Sequence, residues 1–286
     1  MKWRGRKQSS NVEDRRGKSS GRGLSIPMLA GGGTGGIIIL LLVMFLGGNP
    51  LDFLSGTQDS NYQNTTPYVE TEREAELADF VSVVLADTET VWSSIFNEYG
   101  MEYNEPTLVL FTDYVQSACG GQSAAVGPFY CPGDEKLYID LSFYDQLEKN
   151  FQAPGDFAMA YVVAHEVGHH VQTLLSLNKD LNNARGRVSE KELNELTVRS
   201  ELQADYLAGV WAHHAESMNL LDEGDLEEAL DAANAIGDDT LQKRAQGYVV
   251  PDTFTHGTSE QRKRWFHRGF ESGDLENGDT FGAGEL

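Results

Sequence analysis

One stretch constrains this chain more than any other: Ala160 to Gln172, AYVVAHEVGHHVQ, an apolar run that carries three histidines and a glutamate. Its length and spacing are those of a buried helix. Four residues along an α-helix turn the direction by about 400°, so His165 and His169 project from one face, roughly 6 Å apart. Tyr161, Val162, Val163, Val167, Val171, Leu174 and Leu175 leave that helix apolar on most sides. Burying imidazoles and a carboxylate there is costly unless something pairs with them. A metal ion shared by the two histidines is such a partner. Glu166, one step round from His165, lies beside the same face, where a carboxylate can take a proton from a water held by the metal. The stretch reads as a catalytic zinc helix, with Gly168 leaving room for a substrate above the metal face.

A catalytic zinc ordinarily has three protein ligands and an open position, so a third ligand is expected from elsewhere in the chain. Ser189 and Glu192 form an S-x-x-E capping box that opens a second helix, running to about Met218. Leu193, Leu196, Ser200, Ala204, Leu207, Ala208 and Trp211 give it a core-facing stripe, with Glu201 and Asp205 at the margin. Carboxylates placed toward a core need a reason. Glu201 fits as the ligand, with Asp205 orienting a ligand histidine through its other nitrogen. Glu195 is a rival, whereas Glu192 is committed to the cap. His213 and His214 read as ordinary surface or core residues.

Charge divides the chain. The net charge is −22, yet residues 1–23 carry eight basic and only two acidic side chains. Leu24 to Leu46 then has no charged residue and ends in IIILLLVMFL, long enough as a helix to cross a hydrocarbon core of about 30 Å. The basic flank predicts a cytoplasmic segment 1–23, a transmembrane anchor 24–46 and export of the rest to the periplasm or cell exterior. A cleaved signal peptide is the competing reading, without a clear A-x-A-like site to support it. The acidic remainder argues against a nucleic-acid partner.

Residues 47–67, rich in Gly, Asn, Ser, Thr and Gln, read as a flexible linker to a domain spanning 68–273. Val69 to Tyr99 has helical spacing, as one long helix or two consecutive ones. TLVLF (Thr107 to Phe111) and KLYIDL (Lys136 to Leu141) are candidate strands of a small sheet. Between them, Cys119 and Cys131 enclose a Gly-rich loop and suit a disulfide on an exported face; two unpaired buried thiols are the alternative. That loop is either a strand edge able to hold an extended peptide or a pinned surface loop. Asp156 is placed to cap the zinc helix. Thr258 and Gln261 cap a last helix, and residues 274–286 read as an acidic, flexible tail.

With these residues in hand, HEVGHH followed by ELQAD resembles the gluzincin arrangement H-E-x-x-H then E-x-x-A-D of the membrane heat-shock and CAAX prenyl-protease group. ACGGQSAAVGPFYCPGDEKLYIDLSF, AHEVGHHVQ, RSELQADYLAG and FTHGTSEQRKRWFHRGFESG more closely resemble the bacterial neutral zinc metallopeptidase family, from about Tyr68 to Gly273. The resemblance implies a membrane-tethered, mostly helical α+β zinc endopeptidase of minimal gluzincin type, with one zinc per chain held by His165, His169 and Glu201. It implies peptide or protein substrates, with Glu166 as the base. In the gluzincin group a Thr-His followed six residues later by Arg lies near the zinc, which implies catalytic roles for His256 and Arg262. A zinc-containing envelope module that binds peptides or partner proteins without hydrolysis is the alternative.

Overall fold

In the computed structural model, which describes residues 1–18 and 68–286, the apolar pattern after Val69 becomes one unbroken helix, α1 (Glu72–Glu98). Thr71 and Glu74 close a capping box at its start. Phe80, Val84, Trp92 and Phe96 recur at helical spacing and are buried, each large side chain contributing roughly 1.5–3 kcal/mol on leaving water.

A four-stranded sheet lies in the order β1 (Val12–Asp14), β2 (Thr107–Phe111), β6 (Lys136–Asp140) and β5 (Phe129–Cys131). Strands β2 and β6 are the two apolar runs of the sequence. They pair in parallel with Leu108 opposite Leu137 and Leu110 opposite Ile139. Strand β5 adds to β6 antiparallel. The segment between β2 and β5 folds as a hairpin, β3 (Tyr114–Ser117) and β4 (Gly120–Ser123), and Cys119 is bonded to Cys131 at the end of β5.

After α2 (Ser142–Lys149) comes the central helix, α3 (Asp156–Leu174), packed against α1 on one side. Most of the rest of its surround is α5 (Glu190–Ser217) and α6 (Asp225–Ala235), with β5, β6 and α2 also against it and the short α4 (Lys179–Ala184) inside the polar connection. Helices α7 (Asp238–Gln246) and α8 (Ser259–Ser272) complete the body. Helix α8 lies close along α5: a Cβ at Gly269 would stand 2.0 Å from the Tyr206 carbonyl oxygen. The capping boxes at Ser189 and Thr258 form as the sequence indicates. Asp156 does not cap α3. It is the helix's first residue and accepts from the Met1 α-amino group at 2.8 Å, while Glu228 of α6 accepts from the Phe157 N–H at 3.0 Å.

The chain's two ends depart most from expectation. The anchor expected at 24–46 and the linker at 47–67 lie outside the described residues, and among the described residues no helix is long and apolar enough to cross a membrane. The basic segment is also built into the body from which a membrane was to separate it. Strand β1 pairs in parallel with β2, and Trp3 packs edge-on against Phe80 with ring centroids 5.4 Å apart. Arg6 donates to Asp87 at 2.6 Å, and the Ser9 hydroxyl to Glu89 at 2.5 Å. A single-pass arrangement with residues 1–23 in the cytoplasm and the domain outside is thereby overturned. Residues 274–286 are no loose tail either: Thr280 is fully buried, its hydroxyl donates to the Arg199 carbonyl at 2.6 Å, and Gln203 donates to the Gly278 carbonyl at 2.9 Å.

Candidate metal centre and active site

The packing of α3 on α5 brings His165, His169 and Glu201 together. One donor atom from each lies within 4.8 Å of the others. His165 Nε2 is 3.2 Å from Glu201 Oε2, and His169 Nε2 is 3.5 Å from Glu201 Oε1. A tetrahedral zinc with bonds of about 2.05 Å has ligand-to-ligand edges of about 3.3 Å, close to the separation of each histidine from Glu201, and two imidazoles with a carboxylate are the donor chemistry that ion takes. Gly168 permits this arrangement for a reason different from the one expected. Its missing side chain faces α5, where a Cβ would stand 2.9 Å from the Ala204 carbonyl oxygen; the glycine sets the helix approach, not the space for a substrate.

The remaining ring nitrogens are also spoken for. His165 Nδ1 lies 2.8 Å from Asp205 Oδ1, and His169 Nδ1 lies 2.8 Å from Gln172 Oε1. Both acceptors favour the tautomer with the proton on Nδ1, which leaves the Nε2 lone pairs turned to a common point. Each acceptor is itself held. Gln172 donates to the Ser200 carbonyl at 2.7 Å, and Asp205, fully buried, accepts from the Tyr161 hydroxyl at 2.6 Å. Arg262 closes on the same carboxylate through Nε at 2.9 Å and Nη2 at 3.0 Å. Arg262 is 2 % exposed, so its fork is committed to Asp205 behind His165. The carboxylate–guanidinium pair accounts for the charge that α5 carries into the core.

Electrostatics follow this geometry. Burial raises the Asp205 pKa, but Arg262 and His165 outweigh it and bring the carboxyl down to about 2. Burial likewise opposes ionised Glu201, yet His169 and His165 hold it well below the usual carboxylate range. Glu166 lines the same cleft and has no hydrogen-bond partner among the described residues. That leaves its carboxylate free to work on a bound molecule.

His256 reaches the cleft from the loop before α8. Asp238, at the first position of α7 and 1 % exposed, organises that loop. Its Oδ2 accepts the backbone N–H groups of Thr255, His256 and Gly257 at 2.7, 2.7 and 3.1 Å, and its Oδ1 lies 3.3 Å from His256 Nδ1. Burial lowers the imidazole's affinity for a proton, but Asp238 overcomes this and raises the His256 pKa above its ordinary value. His170 does different work. It is buried beneath β5, with Nε2 2.6 Å from the Asn104 carbonyl and Nδ1 3.1 Å from the Tyr130 hydroxyl, and burial lowers its pKa.

Tyr161, Gln172 and Asp238 are the site residues that sequence reasoning missed. The first two were accessible to it, since Tyr161 lies one helical turn before His165 and Gln172 three residues after His169. Asp238 offered no such signal, being eighteen residues from His256 and joined to it only through space.

The model of the family described as "Putative neutral zinc metallopeptidase" matches residues 1–281. The chain is similar to "Uncharacterized protein YpfJ" of Escherichia coli (strain K12), 48% identical over 286 residues and covering 99% of each chain. It is also similar to "Uncharacterized protein Rv2575" of Mycobacterium tuberculosis, 42% identical over 196 residues, which cover 64% of this chain and 65% of that one. No solved structure matches.

Proposed function

The chain belongs to the neutral zinc metallopeptidase family, and from that premise we propose that it is an endopeptidase that hydrolyses peptide bonds at one zinc held by His165, His169 and Glu201. The observation that carries this reading is the meeting of donor atoms of His165, His169 and Glu201 within 4.8 Å of one another, beside an unpartnered carboxylate that lines the same cleft. Zinc bound by these residues would supply Lewis acidity and would lower the pKa of a water toward neutrality. Glu166 takes the proton of the attacking water and returns it to the leaving amine. His256, with Nδ1 turned to Asp238, presents Nε2 to the cleft and donates to the carbonyl oxygen as negative charge builds on it. Asp205 and Gln172 hold the two ligand rings in place, and Arg262 and Tyr161 keep Asp205 ionised and fixed.

The test is metal content and peptide hydrolysis measured together. Wild-type chain should carry one zinc and cleave an unstructured protein substrate in a chelator-sensitive way. Glu166→Gln should keep the zinc and lower kcat by roughly a hundredfold or more, because an amide hydrogen-bonds water without accepting its proton. Wild-type turnover in that variant would sink the mechanism. Full zinc occupancy with no hydrolysis by either protein would favour a module that only binds.

A further inference from the structure

The cleft over the metal centre has a volume of about 450 Å³, and much of its wall comes from the loop that the Cys119–Cys131 disulfide closes. Cys119 itself lines the cleft, so the disulfide ties this wall to the end of β5. Val126 and Phe129 of the loop face the same space as Phe143 and Phe151, from α2 and the turn after it, and as Val162 and Leu241. Val162 stands one turn before Glu166 on α3. The charged lining groups, the histidines apart, are Glu166, Glu201 and Arg262. Glu201 is engaged by the ligand histidines and Arg262 by Asp205, which leaves Glu166 as the one carboxylate a substrate side chain could meet.

Resting on the peptidase reading, we propose that the disulfide-closed loop is the specificity wall of this site, and that it selects peptides with a bulky, uncharged, apolar side chain flanking the scissile bond. An aliphatic or aromatic side chain exchanges water for the Val126, Phe129, Phe143 and Val162 surfaces. An acidic side chain would lose its hydration against the same apolar wall and would face Glu166. A basic side chain would likewise lose its hydration against the apolar wall, and in the wild-type chain one that reached Glu166 would also quench the base. Selection against charge therefore comes from the wall and from the chemistry together.

The test uses hexapeptides that differ only in the residues flanking the central bond: Leu or Phe, Gly, Asp, or Lys. Binding is measured on zinc-loaded Glu166→Gln and kcat/KM on wild-type chain. Leu and Phe peptides should bind at least tenfold tighter than Asp and Lys peptides, and kcat/KM should follow the same order. Val126→Asp, at a partly exposed position of the wall, should cut the apolar preference by several fold and improve Lys peptides; Ala125→Asp, beside it, is the second variant should the first not fold. Equal affinity across the four classes, or unchanged preference in a folded wall variant with full zinc content, would overturn the proposal. Apolar-selective binding without turnover would leave the wall standing and remove the peptidase reading; turnover without selectivity would do the reverse.

Discussion

At the scale of single residues, His256 is the most informative position to change. It is tied by Asp238 on one side and open to the cleft on the other, and it is not among the donors that meet at the metal point. His256→Ala should therefore lower kcat by roughly ten- to a thousandfold, about 1.4 to 4 kcal/mol of transition-state stabilisation, with zinc content and KM little changed. Loss of zinc from this variant would make His256 a ligand; unchanged kcat would take it out of the reaction. The sequence made this centre readable in uneven degrees. His165, Glu166 and His169 sit on one helix, where spacing alone fixes their common face. Glu201 and Asp205 announced themselves as carboxylates beside an apolar stripe, a local anomaly with a physical cost. A catalytic role for Arg262 was expected only from the resemblance; its position on Asp205 depends on how α8 crosses α5, which no local pattern encodes.

At the scale of elements, legibility followed how much of each element's stability is local. Strands β2 and β6 and helices α1, α3, α5 and α8 have apolar runs, helical spacing or capping boxes of their own. The hairpin β3–β4 is Gly- and Gln-bearing, and β1 is the three residues Val12, Glu13 and Asp14, which are extended because the edge of β2 accepts them. The contact of this N-terminal segment with α1 has a pH signature. Asp87, in the middle of α1, is buried with one oxygen on Arg6 and the other without a partner. Burial raises its pKa from 3.8 to about 6, with Arg6 opposing. Below 3.8 the carboxyl is protonated in both folded and unfolded chains; between 3.8 and about 6 the folded chain holds a proton that the unfolded chain has released. Stability should thus fall as pH rises through that window, by on the order of 2 kcal/mol, and stay level above it. Asp87→Asn should remove this slope in urea titrations at pH 4, 5, 6 and 7. A variant as pH-dependent as wild type over that range would show that Asp87 is not its source.

At the scale of the whole molecule, the question is whether residues 1–18 are an appendage or part of the fold. Composition favoured the appendage: eight cations ahead of an uncharged run look like the flank of a membrane anchor. What composition could not show is that the body presents matching carboxylates, with Glu76, Asp87 and Glu89 on α1 meeting Arg4, Arg6 and Ser9, and Asp156 and Asp225 meeting the Met1 amine. The exposed Arg4–Glu76 pair contributes little, and the buried pairs offset their attraction against the cost of desolvation, so the apolar contact decides the matter. Trp3 is 9 % exposed and closes over Phe80 on α1, the helix that backs α3. Trp3→Ala should then cost about 3 kcal/mol, as truncation of a large buried aromatic does, and should lower the thermal midpoint by several degrees. The same variant should keep its zinc at low temperature, since none of the three ligand residues touches this segment. If Trp3→Ala melts with wild type, residues 1–18 are a detachable arm, and the case for placing them on the same side as the zinc site falls with that contact.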